Sequence, residues 1–250
     1  MDHKLVLAFV AVFLVSALLL HTFTGRFHEK FPRYPVQVVR VIDGDTFLAS
    51  NGETVRLLGV NTPDKGMKYY EEASSTLREL VENKTVYLEW DSKDKDAYGR
   101  SLRYVFLGDM FVNSFLLEAG YAHTFMLDNL RYKNDLLKSQ QVGIERSVGV
   151  WNKSEFFGCI SIRQLMPKEE LLEIESKCGD INVSGWILKD EANNLYIFPP
   201  INIKSIRIHS GYGEDNQTDL FWGKKYIWND DGDTVFLYDM GWKLVLMYQY

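Results

Sequence analysis

The order of short alternating segments between residues 36 and 107 constrains the fold of this chain more than any other feature. Apolar and polar residues alternate there as in half-buried strands, and turn residues separate the segments. Asn51-Gly52, between the second and third segments, is a strong hairpin signal. We predict strands at residues 36–42, 47–50, 54–60, 85–91 and 101–107, and a helix at residues 69–83. Five strands with a helix after the third predict an OB-fold, a small Greek-key barrel.

The pattern changes past Trp151, after two further predicted helices at residues 112–119 and 129–146. Short alternating runs are separated there by Gly, Asn, Asp and Pro. Strands at such spacing predict an all-β sandwich. The runs lie at residues 171–175, 186–189, 195–198, 205–209, 234–238 and 245–248.

The beginning of the chain predicts a membrane anchor. Residues 5–20 are apolar apart from Ser16, and a spanning helix needs about 20 apolar residues, with a range of about 17 to 25. Basic residues stand on both sides of the run, so flanking charge does not decide the orientation. We expect a single-pass signal-anchor in the cell membrane, with the C-terminal domains exported. The alternative is a cleaved signal peptide and a secreted protein.

The net charge of the chain is −6. Non-specific nucleic-acid binders are usually basic, because neutralisation of phosphates drives their affinity. The acidity therefore argues against a storage-type DNA binder, but not against an enzyme that must release its product. Residues 179–250 carry ten Asp and Glu against six Lys and Arg, which places −4 of the −6 in that region.

The chain has two cysteines, Cys159 and Cys178. They do not form a CxxC pair or a Cys/His pair at zinc spacing. Two cysteines that flank one short segment of an exported chain can form a disulfide. Two unrelated buried thiols are an equally open alternative at this stage.

Two carboxylates stand at the end of the first predicted strand. Asp43 and Asp45 flank Gly44, so both side chains can reach one side of a tight turn. The same Asp-Gly-Asp-Thr sequence recurs at residues 231–234, where we expect a plain turn, with a surface calcium site as the alternative. The first copy differs because two arginine-containing segments follow it.

The two arginines stand in contrasting surroundings. Arg56 opens an otherwise apolar stretch, where an unpaired guanidinium would be costly to bury. Arg100 follows Tyr98-Gly99 in a turn. Taken singly, a structural salt bridge explains Arg56 and a surface charge explains Arg100. Together with the clustered carboxylates they predict a site that holds a hard cation against a phosphodiester.

These segments, at residues 41–47, 55–64 and 96–100, resemble in order and spacing the staphylococcal-nuclease-like (thermonuclease) family. The resemblance covers residues 35–151. It implies the same OB-fold. It also implies a calcium-dependent endonuclease that hydrolyses DNA and RNA and leaves 3′-phosphate ends.

The resemblance implies a Ca²⁺ site. Asp45, Asn61 and the backbone carbonyl of Thr62 stand at the positions of the family's protein ligands, with Asp43 in support. Calcium suits carboxylate, amide and carbonyl oxygens held in loose geometry. Position 61 is Asn where many relatives carry Asp, so we expect weaker metal binding.

The resemblance also implies catalytic roles for Arg56, Asp64 and Arg100. The arginines stand at positions that bind phosphate, and Asp64 stands where the family carries the carboxylate that orients or deprotonates the attacking water. That carboxylate is usually Glu, and a displacement of about 1 Å can cost on the order of 100-fold in rate. A catalytically weak or inactive scaffold that binds nucleic acid or protein is therefore the alternative function.

The last part of the chain resembles a lamin-tail domain, which has an immunoglobulin-like fold and is found attached to exported nucleases. The segments that carry this resemblance lie at residues 183–188, 196–199, 211–213 and 228–239. We expect the tail to serve adhesion or targeting through a ligand or partner protein whose class the sequence leaves open.

Three parts are expected overall. Residues 1–34 form the anchor and linker, residues 35–156 the thermonuclease-like OB-fold domain, and residues 157–250 the lamin-tail-like β-sandwich.

Overall fold

The structure is a computed structural model that describes residues 32–125 and 129–250. Tyr34–Tyr250 form one compact unit. Within the described ranges, no helix is both long and apolar enough to cross a membrane. The anchor predicted at residues 5–20 lies outside the described residues.

A closed barrel forms the first part of this unit, which confirms the predicted OB-fold. Its strands and their short companions are β1 (Tyr34–Asp43), β2 (Thr46–Ala49), β3 (Thr54–Leu57), β4 (Val60–Asn61), β5 (Thr85–Glu89), β6 (Ser101–Leu107), β7 (Met110–Phe111) and β8 (His123–Thr124). The sheet runs in the order β3-β2-β1-β5-β6-β7, and β3 also pairs in parallel with β6. That last pairing closes five strands into a barrel.

Three helices pack on the barrel: α1 (Tyr70–Val81), α2 (Val112–Glu118) and α3 (Lys133–Arg146). Helix α1 buries Ala73, Leu77 and Val81 on one face. That is the apolar face its periodicity predicts. This packing places the N-terminal half of α1 against the turn between β1 and β2.

Two boundaries of the barrel part differ from the sequence prediction by more than two residues. The third strand, predicted as residues 54–60, divides into β3 and β4 because Gly59 adopts a φ of 78° and turns the chain. The third helix begins at Lys133 rather than at residue 129, because Asn129 has a φ of 60°. The first break matters for the site, since it separates Arg56 from Asn61.

The second part is all-β, as predicted. Its strands are β9 (Ile160–Met166), β10 (Leu171–Ser176), β11 (Ile181–Asn182), β12 (Ile187–Lys189), β13 (Leu195–Ile197), β14 (Asn202–Ile203), β15 (Ser205–His209), β16 (Asp219–Phe221), β17 (Thr234–Tyr238) and β18 (Leu244–Gln249). They form two four-stranded sheets, β16-β15-β10-β9 and β13-β12-β17-β18, and a short β11-β14 pair. Inward-facing residues of both four-stranded sheets share one hydrophobic cluster, which includes Ile174, Ile208, Leu188 and Leu237.

Cys159 and Cys178 form a disulfide, which decides between the two alternatives that the sequence left open. The bond joins the residue before β9 to the segment after β10.

A third hydrophobic cluster joins the barrel part to the sandwich. Trp151, which is fully buried after α3, packs with Phe236 of β17 at 6.0 Å between ring centroids. Ile187 and Leu244 of the sandwich belong to the same cluster. The chain also pairs across this boundary, where the Leu244 N–H donates to the Asn152 carbonyl at 2.7 Å. The two parts are therefore packed together, and one face of the sandwich lies over the barrel.

Phe236→Ala should lower the free energy of unfolding by about 3–5 kcal/mol, because the ring is buried in the shared cluster and its removal leaves a cavity. Ile197→Ala is the control, since Ile197 is 64% exposed on the same sheet and should change stability by less than about 0.5 kcal/mol. Urea unfolding measures both. Equal stabilities of the two variants would show that this cluster contributes little.

Candidate functional site

The turn between β1 and β2 presents Asp45 to the segment that follows β4. Gly44 makes this approach possible, because an added Cβ would lie 2.7 Å from both the Ala73 Cβ and the Thr62 Oγ1. A glycine is needed there for space rather than for a special backbone angle. Asp45, Thr62 and α1 consequently meet in one buried corner.

The Asp45 carboxylate is almost completely enclosed by protein donors. Its Oδ2 accepts hydrogen bonds from the backbone N–H and the hydroxyl of Thr62, both at 2.9 Å. Its Oδ1 accepts from the Thr46 hydroxyl at 3.0 Å and pairs with the Arg56 Nε at 3.1 Å. The side chain of each partner in this ion pair is less than one-tenth exposed.

Arg56 uses four of its five N–H groups inside the protein. Besides the pair with Asp45, its Nη1 donates to the Leu57 and Val60 carbonyls at 2.7 Å each. Its Nη2 donates to the Asn61 side-chain oxygen at 2.8 Å. The β-turn at Gly59 brings these acceptors around the guanidinium. Arg56 is thus buried, and its hydrogen bonds connect β3 to β4.

The sandwich contacts two predicted ligands, Asn61 at the end of β4 and Thr62 directly after it. The Asn61 amide nitrogen donates to the Glu191 carbonyl at 3.0 Å. The Asn193 amide nitrogen donates to the Thr62 carbonyl at 2.9 Å. Glu191 and Asn193 lie in the turn between β12 and β13, residues 190–194, which we call the covering turn.

The covering turn was missed by sequence reasoning. The segment Asp-Glu-Ala-Asn-Asn between two apolar strands is typical of a solvent-exposed hairpin turn. No local pattern distinguishes such a turn from one that docks on another part of the chain.

A buried lysine lies beneath this turn. The Lys189 ammonium donates to the Asp190 carbonyl, the Asn193 side-chain oxygen and the His123 Nε2 at 3.0, 2.9 and 3.1 Å. It also lies 4.3 Å from the centroid of the Phe236 ring. Burial lowers the pKa of Lys189 to about 8. All three ammonium protons are satisfied, so the lysine fixes Asn193 in place.

His123 is the barrel's partner for this lysine. Because a carbonyl can only accept, the His123 Nδ1–H donates to the Thr124 carbonyl at 3.0 Å, and Nε2 accepts from Lys189. Burial and the nearby Lys189 charge lower the pKa of His123 well below its usual value. The imidazole is therefore neutral at pH 7.

Asp64 lies at the exposed rim of this cluster. Partial desolvation raises the pKa of its carboxyl, and a hydrogen bond with Asn193 opposes that shift. The charges of Asp45, Lys189 and Arg56 also act on it, which places Asp64 near these side chains.

Arg100 occupies a separate turn. Its Nε pairs with Asp96 Oδ2 at 2.7 Å, and its guanidinium lies 5.5 Å from the centroid of the exposed Tyr98 ring. The β3–β6 register pairs Val55 with Ser101, so Arg100 stands beside the start of β3. The structure brings Asp45, Arg56, Asn61, Thr62 and Asp64 together, and it holds Arg100 in local contacts at the edge of the same sheet.

The second Asp-Gly-Asp-Thr copy serves as a turn, as expected. Asp233 Oδ1 accepts the Glu191 N–H and the Thr234 N–H, at 3.2 and 2.7 Å. Asp233 Oδ2 accepts the backbone N–H and the side-chain amide of Asn229. This carboxylate is therefore used within the sandwich, and it braces the covering turn.

Comparison with known proteins identifies the barrel part. Residues 54–153 match the family described as staphylococcal nuclease homologue. The thermonuclease of Staphylococcus hyicus is 32% identical over 126 residues, which cover 46% of this chain and 75% of the relative. This chain belongs to the staphylococcal nuclease family. The family's thermonuclease from Staphylococcus intermedius is 35% identical over 126 residues with the same coverage. Endonuclease YncB of Bacillus subtilis is 33% identical over 156 residues, covering 54% of this chain and 74% of the relative.

Members of the nuclease family are metal-dependent, and the donor chemistry here fits a hard cation. Asp45, Asn61 and Thr62 offer carboxylate, amide and carbonyl oxygens. Burial and the nearby Asp45 charge raise the pKa of Asp43 to about 6, and a cation would relieve this repulsion between two carboxylates. In residues 32–125 and 129–250, no three His, Cys, Asp or Glu side chains lie together as a metal site. The donor set at Asp45 therefore depends on the Asn61 amide and the Thr62 carbonyl as well.

The Arg56→Ala variant should have a much lower free energy of unfolding than the Arg100→Ala variant. Removing Arg56 leaves the Asp45 carboxylate buried without its ion-pair partner, which costs about 3–5 kcal/mol. The Arg100–Asp96 pair is partly exposed, so its loss should cost about 1 kcal/mol or less. Urea unfolding of both variants measures the difference, and comparable midpoints would contradict the structural role of Arg56.

The contribution of His123 to the free energy of unfolding should decrease as the pH falls below 6.5. The pKa of His123 is lowered in the folded state, so the unfolded chain binds a proton that the folded protein refuses. His123 makes its full contribution to the free energy of unfolding above pH about 6.5, which is the pKa of histidine in an unfolded chain. Below this pH the contribution falls by up to about 1.4 kcal/mol per pH unit. His123→Gln should flatten this slope in urea unfolding between pH 5 and 7, and an unchanged slope would contradict the assignment.

Proposed function

We propose that this protein is a calcium-dependent endonuclease that hydrolyses DNA and RNA and leaves 3′-phosphate ends. Membership of the family makes the chain a nuclease; the metal, substrate range and products are the proposal. The observation that carries it is the convergence of Asp45, Arg56, Asn61 and Thr62 in one hydrogen-bonded cluster with Asp64 at its rim. These are the residue types that calcium and a phosphate group require together.

Asp45, Asn61 and the Thr62 carbonyl would hold the calcium ion, with Asp43 in support. When bound, Ca²⁺ supplies positive charge that stabilises the negative charge developing on phosphate oxygens. The Asp45–Thr62 hydrogen bonds, both at 2.9 Å, hold two of these groups in fixed relation before any ion binds. Preorganised oxygens of this kind reduce the cost of ordering a metal site.

Asp64 would orient the attacking water and accept its proton. The carboxyl lies at the exposed rim, where water reaches it, and its raised pKa makes it a stronger base than an ordinary aspartate.

Arg100 would bind the phosphate and stabilise its growing charge. Its side chain is 31% exposed, so its unused N–H groups can meet a ligand. Arg56 has one N–H group beyond the four that bind protein acceptors. We therefore assign most of the electrostatic contribution from arginine to Arg100 and a smaller one to Arg56.

We place the protein at the cell membrane, held by a signal-anchor at residues 5–20, with its C-terminal part exported. The Cys159–Cys178 disulfide supports export, because such bonds persist in oxidising compartments. In this proposal the sandwich is a lamin-tail-like module that binds a ligand or partner protein, and secretion after cleavage is the alternative location.

A weak or inactive nucleic-acid-binding scaffold is the second candidate function. It is favoured by the sandwich contacts on Asn61 and Thr62, because these are two of the three predicted metal ligands.

Purified protein should cleave plasmid DNA and a labelled single-stranded RNA with calcium, and should leave both intact with excess chelator. Arg100→Ala should lower the rate about 100- to 1,000-fold, because one charge-stabilising donor is lost. Arg163→Ala is the matched control: Arg163 is also a partly exposed arginine, paired with Glu173 at 3.1 Å in the sandwich, and its loss should leave the rate unchanged.

Intact plasmid and RNA under both conditions would favour the scaffold. Products whose 3′ ends accept ligation without phosphatase treatment would reject the proposed 3′-phosphate ends.

A further inference from the structure

The covering turn, residues 190–194, contacts two predicted metal ligands, Asn61 at the end of β4 and Thr62 directly after it. It places the Asn193 amide on the Thr62 carbonyl and the Glu191 carbonyl on the Asn61 amide. Thr62 is 3% exposed and Asn61 is 9% exposed in this arrangement. The question is whether the turn helps the site or closes it.

The contact with Thr62 puts a hydrogen-bond donor where a cation would bind. The Asn193 N–H carries partial positive charge and lies 2.9 Å from the carbonyl oxygen. A calcium ion on the same oxygen would lie close to this donor, and the positive partial charge of the N–H would repel it. The hydrogen bond therefore weakens the Thr62 carbonyl as a metal ligand.

The contact with Asn61 also makes a predicted ligand less available to a metal ion. Because the amide nitrogen donates to Glu191, the amide oxygen must point the other way, where it accepts from the Arg56 Nη2 at 2.8 Å. That orientation turns the oxygen toward a guanidinium and occupies one more donor of Arg56. The tail thus pairs Asn61 with Arg56 instead of leaving both for metal and phosphate.

The covering turn is held firmly from its own side. Lys189 bonds to the Asn193 side-chain oxygen, and Asp190 accepts the backbone N–H of Asn194. Asp233 accepts the Glu191 N–H. The pocket that Asn193 lines together with Pro63 and His123 has a volume of about 10 Å³, which is room for one water at most. Asn193 therefore packs closely against the barrel.

We infer that the covering turn is a built-in inhibitor of the nuclease site, docked on Asn61 and Thr62 and displaced when calcium and nucleic acid bind. This inference rests on the proposed function. It also gives a physical reason for Asn at position 61, because an ionised aspartate has no N–H to donate to the Glu191 carbonyl.

Calcium titration calorimetry on the full-length protein tests the competition without any substrate. Asn193→Ala removes the donor to Thr62, so the variant should bind calcium about tenfold more tightly, the size of one neutral hydrogen bond. It should also cleave plasmid faster at limiting calcium. Asn182→Ala is the control, because Asn182 caps the Ser184 N–H within the sandwich and should match the wild type.

Asn193→Gly is a second variant. It removes the same donor and suits the φ of 64° at position 193, so it should show the same tightening if the alanine variant folds poorly. Unchanged or weaker calcium binding in a folded variant would overturn the inference and make Asn193 a positioning residue or a bystander. Wild-type cleavage with slower cleavage by both variants would overturn it while leaving the proposed function standing. Absence of calcium binding and cleavage in every protein would overturn both.

Discussion

The buried pair between Asp45 and Arg56 is the interaction on which the rest of the site depends. Burying two charges is costly unless each finds further partners. Thr62 supplies them to Asp45, and carbonyls around Gly59 together with Asn61 supply them to Arg56. Strands β2 and β3 pair in a register that brings Asp45 and Arg56 together, so the site exists only when the barrel is folded.

The sandwich extends this network across the boundary between the two parts. Its contacts reach Asn61 and Thr62, the residues next to the buried pair, and the shared cluster around Phe236 holds the two parts together. In the inference drawn here, access to the proposed metal ligands depends on the docking of the second β-structure. Such a link needs no change in the barrel itself, only a change in which donor faces the Thr62 carbonyl.

The barrel could be predicted from local sequence patterns, and the resemblance of residues 55–64 to the nuclease family pointed to Asn61, Thr62 and Asp64, which the structure brings close to Asp45. Strand alternation and the Asn51-Gly52 turn predict the order of the barrel, and the turn at Gly44 marks the carboxylates. The covering turn could not be predicted, since Asn61 and Glu191 are 130 positions apart and Thr62 and Asn193 are 131 apart. Contacts at such separations depend on tertiary packing, and a polar hairpin turn carries no local sign of its partner. The two carbonyl acceptors of Arg56, on Leu57 and Val60, could not be predicted either, because every residue has a carbonyl.

Amide hydrogen exchange of the covering turn during a calcium titration tests the central claim most directly, because it reports on docking without relying on catalysis. If the turn closes the site, saturating calcium should increase exchange in residues 190–194 while the barrel strands remain protected. Exchange that stays constant or slows in these residues as calcium binds would show that metal and turn occupy the site together, and would contradict the account.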